Sequence, residues 1–245
     1  MDGTELRLAT YNVHKGVGTD LRRDPDRTIE VLREIGADVV ALQEVDRRFG
    51  DRAGVLDLAR LSQRTGLEPI ILADRLGRRA AGWHGNLLLV RGAEVEAAEP
   101  VTLPGLEPRG AILADLRIGG HPLRIIAAHL GLMRRSRLVQ ARRLAAEIGG
   151  ADDRPTILMG DFNEWRLGAD CGLMPLRRGL RAVKRSAATA ASFPAQFPVL
   201  PLDRIIGCRQ AIVADIAPHD SPLARRASDH LPVVARLRLD ADAGR

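Results

Sequence analysis

The feature that most constrains the fold of this chain is a series of short apolar or alternating segments spread over its whole length. Their shortness and their branched aliphatic content predict β-strands. The predicted strands are Leu6–Val13, Asp38–Leu42, Pro69–Leu72, Asn86–Val90, Ala111–Leu116, Leu123–Ala128, Thr156–Met159, Leu202–Ile206 and Pro232–Leu239. So many strands require at least one β-sheet.

Three segments between these strands have the apolar spacing of amphipathic helices. A proline at the beginning or a glycine directly after the end is typical of a helix boundary. The predicted helices run from Asp24-Pro25 to Gly36, from Leu58 to Thr65 and from Leu138 to Ile148. Because strands outnumber helices and some follow one another through short turns, a mixed sheet with outer helices is favoured over a regular βαβ repeat.

The chain has 245 residues, 45% of them hydrophobic, which is enough to bury a sizeable core without a metal or disulfide. It shows neither an internal repeat nor a linker, and the proline-rich stretch Ser192–Pro201 is interpreted as an ordered, extended loop. We therefore expect one domain over residues 1–245.

Cysteine usage and the lack of targeting signals indicate the compartment. Cys171 and Cys208 lie outside any metal-binding spacing, which favours a reduced cytosolic environment. The N-terminus lacks the pattern of a signal peptide, and no apolar run has the length of a transmembrane helix. We expect a soluble, cytoplasmic monomer.

The net charge of +6 raises the question of a nucleic-acid partner. Of the 37 basic residues only Lys15 and Lys184 are lysines, which leaves 37 − 2 = 35 arginines, scattered singly and in pairs. This distribution favours a solvated basic surface over a dedicated polyanion groove. The aromatic content of 3% also weakens a single-strand-binding interpretation.

Polar side chains adjoin four predicted strands. Asn12 follows the apolar run Leu8–Tyr11 at the end of the first strand, Gln43-Glu44 and Asp161 to Asn163 follow two others, and Ser228-Asp229-His230 precede the last one. Taken singly, such residues are commonly turn formers, helix caps, surface carboxylates or hydrogen-bonded histidines. Because side chains at the mouths of neighbouring strands converge, their joint occurrence predicts a site. The hard-oxygen donors, which suit Mg²⁺ or Mn²⁺, are Asn12, Glu44, Asp161, Asn163 and Asp229.

Two histidines extend this set. His129 ends the strand Leu123–Ala128, and His230 precedes the last strand. A histidine needs a partner that fixes its tautomer and stabilises its cation, and Asp203 is the candidate partner of His230. Asp203 could instead pair with an arginine such as Arg204.

At these residues the chain resembles the endonuclease/exonuclease/phosphatase superfamily, which has the DNase I-like fold. The resemblance covers nearly the whole chain. A single motif is weakly specific, whereas seven in the right order are highly specific. The motifs are Ala9–Asn12, Leu42–Val45, Gly85-Asn86, Ala128–Leu130, Gly160–Asn163, Leu202–Ile205 and Ser228–Pro232.

The resemblance implies an α/β (α+β) fold, a four-layer sandwich of two facing mixed β-sheets flanked by helices, with a divalent-metal site at one end. Glu44 would be the principal metal ligand, with Asn12 beside it and Asp229 assisting. These roles agree with the chemistry of phosphate esters, whose anionic oxygens repel nucleophiles unless a cation neutralises them.

The resemblance also implies catalytic roles. Asp161 and Asn163 would align and activate the attacking water. His230, polarised by Asp203, would contact the phosphate and stabilise its developing charge, and His129 would make a second phosphate or leaving-group contact. No covalent nucleophile is required.

Within the superfamily, His129 separates the chain from exonuclease III-like repair enzymes. It sits nearer the branch of DNase I, sphingomyelinases, inositol-phosphate phosphatases and deadenylases. In DNase I the counterpart of His129 pairs with a glutamate, whereas the nearby segment Gly82–Asn86 here contains no acid. The segments Asn12–Gly16 and Ser192–Ala195 resemble the corresponding segments of short bacterial members of the superfamily.

Further residues are candidates for substrate contact. Arg109 could touch phosphate or be an exposed arginine, and Trp165 could line the cleft or pack the loop beneath it. His14 and Lys15, just beyond Asn12, are similar candidates.

The predicted function is Mg²⁺- or Mn²⁺-dependent hydrolysis of a phosphate ester, either in nucleic acid or in a phospholipid or inositol-type phosphate. A duplex nuclease usually adds a groove-entering insertion, of which the sequence shows no sign. A membrane-phosphate enzyme needs an exposed apolar loop, which Phe193 and Phe197 could provide. The alternative is a non-catalytic binding module on the same fold, which the complete set of site residues disfavours.

Overall fold

The computed structural model describes residues 4–47, 51–73, 77, 79–149, 154–166, 171–180 and 189–239. The strands are β1 (Thr4–Asn12), β2 (Val39–Gln43), β3 (Glu68–Pro69), β4 (Leu87–Val90), β5 (Ala93–Leu103), β6 (Arg109–Ile118), β7 (His121–His129), β8 (Thr156–Asp161), β9 (Asp203–Gly207), β10 (Ile212–Pro218) and β11 (Val233–Leu239). The helices are α1 (Pro25–Ile35), α2 (Leu58–Thr65), α3 (Arg134–Gly149), α4 (Met174–Gly179) and α5 (Pro222–Ala227), with a 3₁₀ turn at His14–Gly16.

The strands form two mixed sheets. The six-stranded sheet has the order β10-β11-β1-β2-β4-β3, and the five-stranded sheet has the order β5-β6-β7-β8-β9. Only β1–β2 and β7–β8 are parallel pairs among these neighbours. The predicted architecture of two mixed sheets with flanking helices is confirmed.

Burial on both faces of the central strands explains the layering. In β1, Leu8 belongs to the core shared with the second sheet, whereas Ala9 and Tyr11 belong to the core beneath α1, α2 and α5. Successive side chains of a strand point to opposite faces, so a strand between two cores must be apolar almost throughout. On the other side of the molecule, α3 buries Leu144 and α4 buries Leu176 against the second sheet.

Helix boundaries follow the sequence signals. Helix α1 has proline as its first residue and ends at Gly36 in the left-handed conformation, and α2 ends in the same way at Gly66. Asp57, whose side chain accepts a hydrogen bond from Arg60 N, caps the beginning of α2. In the described part of the chain, no helix combines the length and apolar character needed to cross a membrane.

The structure departs from the prediction at the sheet edges. Strands β5 and β10 were not predicted, and β3 covers Glu68–Pro69 rather than Pro69–Leu72. Both missed strands lie at the edge of a sheet and expose much of their length, so they lack a clean apolar pattern. The short helices α4 and α5 were also missed, and α3 begins at Arg134, before the predicted start.

Candidate active site

The ends of β1, β2, β7 and β8 meet at one end of the sandwich, where strand register places the candidate residues. His129 pairs with Asp161 across β7 and β8, and Asp161 pairs with Asp203 across β8 and β9. Directly opposed residues point to the same face of a sheet, so these three side chains form a row. Asn12 links the other sheet to this row because its Nδ2 donates to Asp161 Oδ2 at 2.9 Å.

Backbone conformation at the strand ends is specialised. Glu44 and Asn163 have positive φ values of 59° and 50°, which few non-glycine residues adopt. Gly160 has φ 153°, and a Cβ atom there would lie 1.8 Å from the carbonyl oxygen of Ala128. Only glycine allows β8 to approach β7 so closely just before Asp161.

His230 and Asp203 form a buried pair. The Nδ1 atom of His230 lies 2.7 Å from Asp203 Oδ2, which also accepts a hydrogen bond from Ser192 Oγ at 2.6 Å. Burial alone would lower the pKa of His230, but the Asp203 charge and hydrogen bond, helped by Asp161, raise it to about 10. His230 is therefore a cation at neutral pH, and its Nε2 lies 3.9 Å from Asp161 Oδ2.

Asp161 is the most central carboxyl group. Its Oδ1 accepts from the backbone N of Asn163 at 2.9 Å, and its Oδ2 lies 3.5 Å from His129 Nε2. Burial and the charge of Asp203 raise its pKa above the usual range, against the opposing effects of His230 and of the hydrogen bonds from Asn12 and Asn163. The result is a buried carboxyl group of increased basicity.

His129 is surrounded by polar groups. Asn163 Nδ2 lies 3.3 Å from its Nε2, and Arg109 Nη1 lies 3.0 and 2.9 Å from its Nδ1 and Nε2. Arg109 is buried, and its Nη2 donates to Glu107 Oε2 at 3.0 Å. Arg109 therefore belongs to the site rather than to the exposed surface, and it connects the Glu107 carboxylate to His129.

A cleft opens beside this row on the Glu44 side. Glu44 forms an ion pair with Lys15. Burial opposes ionisation of Glu44, but the hydrogen bond and charge of Lys15, with Arg109 and His14, outweigh it and hold its pKa below the usual value. The cleft is lined by Lys15, Glu44, Asp46, Arg52, His84, Gly85, Pro108, Arg109 and His129.

Asp229 lies on the other side of Asn12 and is half-exposed. Its Oδ1 lies 3.6 Å from His14 Nδ1, and the neighbouring Ser228 Oγ donates to the carbonyl oxygen of Asn12 at 2.7 Å. The backbone N of His14 donates to Asn12 Oδ1 at 3.0 Å. The segment from Asn12 to Lys15 thus connects the surroundings of Asp229 to those of Glu44.

One group of possible metal ligands stands out among the described residues. Asp161, Asp203 and His230 each offer a ligand atom, and these atoms lie within 4.8 Å of one another. The hydrogen bond between His230 and Asp203 already uses Nδ1 and one carboxylate oxygen. The other oxygen of Asp203, Oδ1, is buried without a hydrogen-bond partner.

Trp165 follows Asn163 by two residues but is not one of the residues that line the cleft. Its side chain is 46% exposed, and the guanidinium groups of Arg166 and Arg137 lie 4.5 and 5.7 Å from its ring. Sequence reasoning missed the contacts of Ser192 and Glu107, because both lie in loops where spacing carries no signal.

Comparison with known proteins gives a consistent picture. Residues 9–230 match the model of the Endonuclease/Exonuclease/phosphatase family. The chain is 32% identical over 253 residues to the uncharacterized protein YbhP of Escherichia coli strain K12, covering 96% of each chain.

Two solved structures share the fold at low sequence identity. A mannosyl-6-phosphatase from Bacteroides thetaiotaomicron is 16% identical with a TM-score of 0.71, covering 95% of this chain and 99% of its own. Danio rerio TDP2, in complex with single-strand DNA product, is 16% identical with a TM-score of 0.67, covering 96% and 99%.

Proposed function

The chain belongs to the endonuclease/exonuclease/phosphatase family, and on that premise we propose that it hydrolyses phosphate esters by attack of water, assisted by Mg²⁺ or Mn²⁺. The observation that supports this most strongly is the buried row of His129, Asp161 and Asp203, completed by His230 and Asn12. Burying titratable groups destabilises a fold. Their accumulation at the ends of neighbouring strands therefore favours a catalytic role over a structural one.

Each polar group has a role that its geometry suits. Asp161, a buried carboxyl group of raised pKa, orients the attacking water and accepts its proton, and Asn163 fixes the orientation of Asp161. His230, kept cationic by Asp203, stabilises the negative charge that develops on the phosphate oxygens. His129 and Arg109 contact the phosphate or the leaving group.

The donor chemistry fits a hard divalent cation. Glu44 is an ionised carboxylate whose present counter-charge is the Lys15 ammonium, and the segment from Asn12 to Lys15 connects it to the other proposed ligands, Asn12 and Asp229. When bound, the ion would neutralise phosphate charge and activate water. The buried, unpartnered Oδ1 of Asp203 offers a further oxygen near Asp161.

The substrate belongs to the same proposal. Two structural relatives are a mannosyl-6-phosphatase and a protein in complex with single-strand DNA product, so the fold accommodates different phosphate esters. Nucleic acid and phospholipid or inositol-type phosphates are the two classes considered for this chain. A non-catalytic binding module is disfavoured because the row, the His230–Asp203 pair and Asn12 lie together.

Hydrolysis of bis(p-nitrophenyl) phosphate tests the reaction class. The metal-free protein should be inactive, and Mg²⁺ or Mn²⁺ should restore turnover. Glu44→Gln should raise the metal concentration needed for half-maximal activity by at least about tenfold. The matched control is Asp115→Asn, which breaks an ion pair with Arg124 (2.6 Å) outside the site and should leave the metal requirement unchanged. Full activity without metal would refute the proposal.

A further inference from the structure

Exposed apolar side chains are concentrated at the catalytic end of the molecule. Of the eleven large hydrophobic residues that are exposed in the described part of the chain, seven lie in loops at this end. Single exposed apolar residues are normal on a protein surface, whereas a cluster around a site marks an interaction surface. The seven residues are Leu21, Leu106, Leu132, Met133, Trp165, Phe197 and Val199.

The first group flanks the site on the His129 side. Leu106, Leu132 and Met133 are 95%, 63% and 61% exposed. Their two loops are fastened together, since Glu107 Oε1 accepts from the backbone N of Leu132 at 2.9 Å. Gln140 holds both loops by accepting from Gly131 N at 2.8 Å and donating to Pro104 O at 3.0 Å. The apolar side chains are thus presented on a fixed support.

The second group flanks the site on the His230 side. Leu21, Phe197 and Val199 are 85%, 75% and 55% exposed. Their loops are also connected, because Gln196 Nε2 donates to Thr19 Oγ1 at 3.1 Å. Phe193, in the same loop as Phe197, packs its ring 4.9 Å from that of His230. The mouth of the site therefore lies between two apolar groups.

Arginines accompany each apolar group. Arg134 and Arg135 follow Met133 directly and are exposed. Arg22 and Arg23 follow Leu21 and are exposed as well. An apolar tip next to basic side chains is the pattern by which proteins bind an anionic membrane interface, because insertion and charge attraction act together.

We propose that this end of the molecule docks on an anionic lipid bilayer and that the phosphate ester hydrolysed is a lipid headgroup displayed there. The choice of substrate rests on the proposed function, whereas docking does not. A protein partner seated on both apolar groups would cover the mouth between them, while a bilayer presents substrate to it. A nucleic acid would use the arginines and gain little from leucine and methionine tips.

Vesicle co-sedimentation tests the docking. Wild-type protein should bind vesicles of phosphatidylcholine mixed with phosphatidylglycerol much more tightly than vesicles of phosphatidylcholine alone. The double variant Leu132→Ser/Met133→Ser, and separately Phe197→Ser, should weaken binding by about tenfold with an unchanged Tm, because each removes inserted apolar area. Arg134→Gln/Arg135→Gln should weaken binding most at low salt.

Matched controls come from the opposite end of the sandwich. Val95 and Ile212 are 42% and 48% exposed and pair with Leu116 and Arg238, the far ends of β6 and β11. Val95→Ser and Ile212→Ser should bind vesicles like the wild type. Docking would be overturned if the wild-type protein did not bind anionic vesicles, or if the Leu132→Ser/Met133→Ser and Phe197→Ser variants still bound them. It would also be overturned if the two control variants lost as much vesicle binding as those variants. Docking on a bilayer would also be overturned if the same variants lost binding to duplex DNA to a similar extent.

The Asp161→Asn variant separates activity from docking. It should bind vesicles like the wild type but release no headgroup from them. The wild-type protein should release water-soluble phosphate from the mixed vesicles. The Leu132→Ser/Met133→Ser and Phe197→Ser variants should lose this release but still hydrolyse bis(p-nitrophenyl) phosphate. This combination would support the lipid substrate. Binding without release by an enzyme that is active on the small ester overturns the substrate assignment and leaves docking in place.

Discussion

The Nδ1 atom of His230 lies 2.7 Å from Oδ2 of Asp203, and both side chains are buried at the floor of the site. The carboxylate raises the pKa of the imidazole from 6.5 to about 10 against the opposing effect of burial. The pair stabilises the folded chain fully below pH 6.5, and that contribution disappears as the pH rises through about 10.

Asp203→Asn should therefore move the alkaline limb of the activity profile to lower pH. Without the carboxylate, burial dominates and the imidazole loses its proton below its ordinary pKa, so the limb should shift by more than about one pH unit. Turnover at neutral pH should fall on the order of 10²-fold or more. The pH dependence of kcat in Mg²⁺ provides the measurement, and an unshifted limb would show that His230 is not the titrating cation.

Asp161→Asn and His230→Ala should each lower kcat on the order of 10²–10⁴-fold, with little change in KM. Both groups act mainly in the transition state, so substrate binding survives. Leu144→Ala is the control, since this fully buried helix residue should cost about 2–5 kcal/mol of stability before it affects turnover. Near wild-type turnover in both site variants would place catalysis elsewhere.

Lys15→Met should lower the Mg²⁺ concentration that gives half-maximal activity, by several-fold. The Lys15 ammonium is the counter-ion of Glu44, so removing it removes a competitor and a repulsive charge. Arg33→Met is the control, because Arg33 pairs with Glu30 on the exposed face of α1. An unchanged or increased metal requirement would mean that Glu44 does not bind the ion.

Gly160→Ala should destabilise the fold on the order of 3 kcal/mol, because the new Cβ collides with the carbonyl oxygen of Ala128. Gly92→Ala is the comparison. Gly92 also has a positive φ, 59°, but nothing lies within 4 Å of the added atom, so about 1 kcal/mol is expected. Urea unfolding measures both, and equal losses would mean that the contact between β7 and β8 can relax.

The interior of the fold could be predicted from the sequence, and its edges could not. Strands β2 and β8 are buried throughout and β1 is buried from Leu8 to Asn12, so these segments consist mostly of apolar residues followed by one polar residue at the site. Strand β5 carries glutamates on exposed positions, and its backbone pairs on one side only. Nothing in the local pattern distinguishes such a strand from a loop.

The candidate site follows the same division. Asn12, Asp161 and Asp203 were predictable because they are fixed to strand ends, where register brings them together. The pair Lys15–Glu44, by contrast, depends on turns with individual backbone conformations, including the positive φ of Lys15 and of Glu44. Periodicity carries no information about such turns.

The position of β1 between β11 and β2 has a consequence for synthesis of the chain. The site needs Asn12 from the first strand and His230 from the segment just before the last, and β11 is what pairs β1 on its open side. A growing chain on the ribosome therefore holds an unfinished sheet and an incomplete site until β11 has emerged. Under the proposed function, a nascent chain of this topology cannot attack phosphate esters, including those of the RNA around it, before β11 has been synthesised.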